Sequence, residues 1–163
     1  MLQWADVIND KTLENLPYKI ELDAWGRIVM TPATNRHGIL QLEIGALLRQ
    51  MLRGGRTITE CSIETQDGVK VADVAWASRT FFKVHGDETP FTQSPEICVE
   101  VTSSSYSRQE IKEKIAAYLA NGAREVWICD DKGALVFNDH SGKLKKSKLV
   151  PRFPAKIRVG TKS

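Results

Sequence analysis

Two short runs of nearly unbroken apolar residues leave this chain few folds: Glu96-Ile97-Cys98-Val99-Glu100-Val101-Thr102 and Glu125-Val126-Trp127-Ile128-Cys129. A strand that is apolar on every residue is covered on both faces, which is the situation at the centre of an α/β sheet. One helical pattern lies between the two runs. Ser107 opens it with Glu110 three residues on, a capping box, and Ile111, Ile115, Tyr118 and Leu119 form one apolar face before Asn121-Gly122 ends it. Strand, helix and strand with short joins imply a parallel pair linked by a right-handed crossover.

The rest of the chain has to fit round that unit. Trp4 to Leu16 reads as a short helix ended by Pro17. Tyr18–Asp23 and Arg27–Met30 flank Ala24-Trp25-Gly26 as a hairpin, and Pro32 closes it. A helix from about Asn35 to Arg53 stops at Gly54-Gly55, with Leu40, Ile44, Leu47, Leu48 and Met51 as its buried stripe. Thr57–Thr65 and Val69–Ala77 read as strands joined by Gln66-Asp67-Gly68, and the stretch through Pro90 to Pro95 as a loop. Ala134 to Val159 reads as two or three short outer strands. No internal repeat or low-complexity linker interrupts the chain, so the expectation is a single α/β domain over residues 1–163. It would be a mixed sheet with a parallel central strand pair, flanking helices and an N-terminal β-hairpin.

Composition excludes several classes. Apolar and charged fractions of 42% and 26% are those of globular proteins. No apolar stretch approaches the roughly 20 residues that span a bilayer, so no membrane association is expected. Met1-Leu2-Gln3-Trp4-Ala5-Asp6 lacks the basic-then-apolar pattern of a signal peptide, and a cytoplasmic site of action is expected. Cys61, Cys98 and Cys129 form no C-x-x-C pair; set in strand-like runs, they read as small buried hydrophobes rather than zinc or redox groups. The net charge of +3 decides little, but Lys143, Lys145, Lys146, Lys148, Arg152, Lys156, Arg158 and Lys162 crowd the last quarter. Such a stripe either guards an edge strand against pairing, the favoured reading, or meets nucleic-acid phosphates.

Two carboxylates sit where burial should exclude them. Asp73 interrupts Val69–Ala77 and Glu100 interrupts Ile97–Val101. A buried charge needs a partner, since desolvation otherwise neutralises it. If the two strands are neighbours, the carboxylates converge, and converging carboxylate oxygens suit hard cations such as Mg²⁺ or Mn²⁺. The alternative is a pair of structural salt bridges. Lys112 and Lys114 return from the following helix toward Glu100 and flank its apolar stripe on opposite sides, so periodicity does not choose between them. On the long helix, His37 reads as a cap or packing residue, and Glu43 is kept as an additional metal ligand. Other chemistries lack their motifs. Ser103-Ser104-Ser105 has no G-x-S-x-G context, neither a Walker A loop nor G-x-G-x-x-G is present, and the four tryptophans read as core and hairpin packing.

Taken in order, Val71-Ala72-Asp73-Val74-Ala75, Val99-Glu100-Val101, Lys114-Ile115-Ala116-Ala117-Tyr118 and Gly122-Ala123-Arg124-Glu125-Val126-Trp127-Ile128 resemble the Uma-two family. This is a group of restriction-endonuclease-like proteins in the PD-(D/E)XK nuclease superfamily. Tyr18 to Met30 and Thr31-Pro32-Ala33-Thr34-Asn35-Arg36-His37-Gly38 look like its opening hairpin and first-helix entry. The resemblance implies that Asp73 and Glu100 are the metal-binding pair and that Lys114 is the active-site lysine. The superfamily's lysine two residues after the glutamate is replaced by Thr102, and this family is understood to carry it on the next helix. Ala72 stands where the family has proline, and Ser103-Ser104 where it has Ser-Pro.

The implied activity is metal-dependent endonucleolytic hydrolysis of DNA with Mg²⁺ or Mn²⁺, and the fold often pairs as a homodimer. A catalytically inactive module that binds DNA or a protein partner through the Lys143–Arg158 stripe is the alternative. A hydrolase of small phosphate esters is disfavoured only by the resemblance.

Overall fold

A computed structural model describes residues 1–160 of the chain. The first helix, α1 (Trp4–Asn9), is shorter than its sequence implies. Asp10 ends it: its carboxylate accepts from the Thr12 N–H at 2.9 Å and opens a separate 3-10 turn over Lys11–Leu13. The hairpin forms as expected from β1 (Tyr18–Leu22) and β2 (Ile28–Pro32), antiparallel and in a two-stranded sheet of their own. Helix α2 (Asn35–Met51) starts at Thr34, whose hydroxyl accepts the His37 N–H at 3.1 Å.

Strands β3 (Gly55–Thr65) and β4 (Gly68–Ser78) follow. Gly68, at φ +96°, is required twice over, for its turn conformation and because a Cβ there would lie 2.2 Å from the Leu22 carbonyl oxygen. The β3–β4 turn thus packs directly on the end of β1. A helix the sequence did not announce, α3 (Arg79–His85), comes next. Ser78 caps it through the Phe81 N–H, but seven residues are too few for an apolar period to register.

The strand–helix–strand unit is β5 (Ile97–Val101), α4 (Arg108–Ala120) and β6 (Glu125–Cys129), with the Ser107–Glu110 capping box in place. Two strands complete the sheet, β7 (Leu135–Asp139) and β8 (Gly142–Leu144). The six-stranded sheet runs β3-β4-β5-β6-β7-β8; β5 and β6 are parallel and every other neighbouring pair is antiparallel.

Each face of the sheet has its own core. On one, Leu40, Ile44 and Leu48 of α2 meet Val74, Val99, Val101 and Trp127. Complete burial of each α2 side chain contributes about 1.5–3 kcal/mol. On the other, Tyr118 of α4 packs with Ala75, Cys98, Val126 and Ile128. Beyond β8 the chain turns back, and Val150, Phe153 and Ile157 close the first core against Trp127 and Phe137.

Lys143 lies on the edge strand β8, while Lys145, Lys146, Lys148, Arg152, Lys156 and Arg158 occupy exposed positions after it; Lys162 lies outside the described residues. The three cysteines are buried thiols, and burial pushes Cys61 and Cys129 up to about 12, away from any thiolate chemistry at neutral pH. Among the described residues no helix is long and apolar enough to cross a membrane.

Candidate active site

The antiparallel register of β4 and β5 pairs Val74 with Val99 and Ala75 with Cys98. Continued by one residue, it sets Asp73 opposite Glu100. The ladder gives way there: the Asp73 carboxylate itself accepts the Val101 N–H, Oδ2 to N 2.7 Å. Both acids are fully buried, so each must find cations or donors within the protein.

They find them on two separate elements. Lys19, on β1, reaches across the sheet and places its ammonium between the pair, 3.0 Å from Asp73 Oδ1 and 2.8 Å from Glu100 Oε2. Lys114, on α4, lies 3.2 Å from Glu100 Oε1 and 2.9 Å from Glu21 Oε1. Glu21 is two residues after Lys19 on the same face of β1, and its Oε1 also accepts the Val71 N–H at 2.8 Å. Tyr118, one turn beyond Lys114 on α4, donates its hydroxyl to Glu100 Oε1 at 2.6 Å. On the α2 side, His37 Nε2 lies 3.1 Å from Asp73 Oδ1, and Gln41 donates to the Asp73 carbonyl at 2.8 Å and to Glu60 at 2.6 Å. Glu60 is held at φ +51°, a conformation costly for a residue with a side chain, immediately beside this network.

The electrostatics separate the two central acids. Burial alone would push Asp73 up, but the Lys19 ammonium and the hydrogen bonds from His37 and Val101 override it and hold the carboxyl at about 2. Burial has the upper hand at Glu100, which with Asp73 and Glu21 nearby sits above the usual glutamate value against the pull of Lys114 and Lys19. Burial works against the charge of Lys19 too, and Glu100 and Asp73 overcome it, so its ammonium is held well above the ordinary lysine value. Burial likewise disfavours the Lys114 ammonium, and Glu100 and Glu21 restore it. His37 is raised by its hydrogen bond to Asp73. The result is a compact, alternating array of three carboxylates and two ammoniums, with its central acids Asp73 and Glu100 fully buried.

The structure therefore brings Asp73, Glu100 and Lys114 together. It also separates the two lysines that periodicity could not: Lys114 is buried in the cluster and Lys112 is exposed. Glu43 is not brought in. The face of α2 that looks on Asp73 carries His37 and Gln41, and Glu43, two residues past Gln41, falls about 200° round the helix and is exposed. Among the described residues no group of three His, Cys, Asp or Glu side chains is arranged to hold a metal. His37 is not itself the cap: its N–H donates to the capping Thr34 hydroxyl, and its ring meets Asp73. Sequence reasoning missed Lys19 and Glu21, and it placed Tyr118 only on the apolar face of α4. The tryptophans also divide: Trp127 is core, whereas Trp25, at the hairpin turn, is 70% exposed with Arg27 stacked 4.9 Å from its ring.

Two hollows flank the cluster and share Thr31 and Tyr106. The first, about 180 Å³, has Lys19, Arg36, His37, Ser103 and Ser105 in its lining, beside Asp131 and the apolar Pro32 and Leu40. The second, about 490 Å³, gives onto Lys114 and is bordered by Lys70, Glu110 and Glu113.

Asp73 and Glu100 are the two carboxylates that could hold a divalent cation. One carboxylate oxygen from each of Asp73 and Glu100 already converges on a single positive nitrogen, and Mg²⁺ is commonly held by one or two carboxylates with water in its other positions.

Comparison with known proteins agrees with this reading of the fold. A family model, "Uma2: Putative restriction endonuclease", matches residues 5–152. A solved structure, "a putative nuclease belonging to DUF820" from Anabaena variabilis ATCC 29413, superposes with a TM-score of 0.62 at 18% identity. That match covers 74% of this chain and 71% of the other. No curated protein matches this chain.

Proposed function

The chain belongs to the Uma2 family, and on that premise we propose that it is a metal-dependent endonuclease that hydrolyses phosphodiester bonds in DNA. The observation that carries the proposal is the convergence of Asp73 Oδ1 and Glu100 Oε2 on one cation position, with the Lys114 ammonium against the other Glu100 oxygen. Asp73 and Glu100 would hold a Mg²⁺ or Mn²⁺ ion. When bound, such an ion supplies Lewis acidity at a phosphate oxygen and lowers the pKa of a coordinated water.

The chain's own residues do the rest. Glu21 and Glu100 fix the Lys114 ammonium from two directions, so it is already oriented to align the attacking water and to offset charge growing on the phosphate in the transition state. Tyr118 and the Val101 N–H fix the rotamers of Glu100 and Asp73. Arg36, His37, Ser103 and Ser105 line the adjoining cleft, where donors of this kind would bind the phosphates on either side of the scissile bond.

Purified protein with Mg²⁺ or Mn²⁺ should nick plasmid DNA, and Asp73→Asn or Glu100→Gln should abolish it. Lys114→Met should lower the rate by a factor on the order of 10²–10³, while Lys112→Met, on the exposed side of α4, should leave it unchanged. Equal cutting by wild type and all variants would identify a contaminant and remove the proposal.

The exposed Lys145, Lys146 and Arg152 favour a second, non-catalytic role in holding nucleic-acid phosphates. DNA affinity that falls steeply with salt, and falls again on neutralising these residues, would support it.

A further inference from the structure

We propose that Lys19 is a resident stand-in for the metal, so that a divalent cation and the Lys19 ammonium compete for one position between Asp73 and Glu100. The inference rests on the metal-dependent reading above and concerns how its site is held before the ion arrives.

Three observations carry it. First, the ammonium does not merely neighbour the acids; it bridges them, at 3.0 and 2.8 Å, using the oxygens that converge. A divalent ion drawing on those two oxygens would place two positive charges within a few ångströms of a third, which a buried site does not tolerate. Second, the remaining oxygens are committed elsewhere. Asp73 Oδ2 takes the Val101 N–H, and Glu100 Oε1 takes Tyr118 and Lys114, so the convergent pair, whose Asp73 Oδ1 also meets His37 Nε2 at 3.1 Å, is the face open to exchange with an ion. Third, Lys19 has somewhere to go. It lines the cleft that also holds Arg36 and His37, and its long flexible stem lets the ammonium swing into that cleft without moving β1. There it would meet an incoming phosphate. The same group would thus stabilise the empty site and, once displaced, add a positive charge beside the substrate.

Competition makes a prediction opposite to that for an ordinary supporting residue. Removing a residue that helps to build a metal site weakens binding. Removing Lys19 should strengthen it, because the ion no longer has to evict a cation. Calorimetric titration with Mn²⁺ alone should show Lys19→Met binding tighter than wild type by about tenfold or more, with Lys19→Arg no tighter than wild type. Circular dichroism would verify that each variant is folded.

A second measurement needs no variant. In wild-type protein without metal, the Lys19 amine should be shielded from reductive methylation, and Mn²⁺ should raise its modification several-fold while exposed lysines such as Lys112 stay constant. Equal or weaker Mn²⁺ affinity in a folded Lys19→Met, or Lys19 labelling that Mn²⁺ does not raise, would overturn the competition and leave the nuclease reading standing. Absence of Mn²⁺ binding in both wild type and variant would overturn the two together.

Discussion

Tyr118→Phe isolates one interaction of the buried cluster. The substitution removes a single oxygen and leaves the ring, which is wholly enclosed, in place, so neither a cavity nor a change of packing contributes. What is lost is the 2.6 Å hydrogen bond to Glu100 Oε1, which keeps only the Lys114 ammonium at 3.2 Å. Hydrogen bonds to a charged partner contribute about 1.5–3 kcal/mol, and complete burial of Glu100 keeps water from replacing the donor. The expected destabilisation is therefore about 1.5–3 kcal/mol. For a chain of this size that lowers Tm by roughly 3–12 °C, at about 2–4 °C per kcal/mol. Urea unfolding followed by tryptophan fluorescence and circular dichroism measures it, with an unchanged m-value as the check that only stability moved. In a Glu100→Gln background the same substitution should cost much less, because the charged acceptor is gone. A loss under about 0.5 kcal/mol in the wild-type background would refute the assignment of Tyr118 as a donor to a buried carboxylate.

Two other predictions lie away from the cluster. Glu125, fully buried, accepts four donors (Trp127 Nε1, Ser147 Oγ and the N–H groups of Lys148 and Leu149), and Glu125→Gln would set amide hydrogens against two of them. The expected cost is about 3–5 kcal/mol, with hydrogen exchange at Lys148 and Leu149 accelerating; a change under about 1 kcal/mol would contradict it. Asp139 is held at about 2 by the Lys148 ammonium and Ser141, below its ordinary 3.8. Its contribution to stability is present above pH 3.8 and fades as pH falls toward 2. Carbon-detected titration should place its midpoint near 2 in the wild type and higher in Lys148→Met, and coincident midpoints would exclude the ion pair.

How much of this was legible in the sequence depended on whether a residue broke the pattern around it. Asp73 and Glu100 stood out because an acid inside an apolar run has no cheap explanation. The parallel pair and α4 were visible for the same reason, since nothing but a two-faced core tolerates such runs. Lys114 was one of two lysines until the family resemblance, and then the folded helix, distinguished it. Lys19 and Glu21 were invisible because Tyr18-Lys19-Ile20-Glu21-Leu22 alternates like any half-exposed strand. Such alternation says that one face is polar, and only the placement of the hairpin against β4 reveals that this polar face is the enclosed one. Tyr118 was hidden differently. Its ring belongs to the apolar stripe where it was placed, and helical periodicity carries no information about where a hydroxyl at the ring's far end arrives. Glu43 lies away from the acids because helical periodicity shows which residues share a face of α2 and not which face meets β4.

The hairpin that supplies Lys19 and Glu21 is hydrogen-bonded to itself and shares no ladder with the six-stranded sheet. Two of the five charges at the centre of the molecule are therefore carried on a sheet of their own, while β4, β5 and α4 contribute the other three. Exchanging the hairpin would change the ionic make-up of the centre and would also take the Glu21 acceptor from the Val71 N–H of β4, so the two strands have to change together.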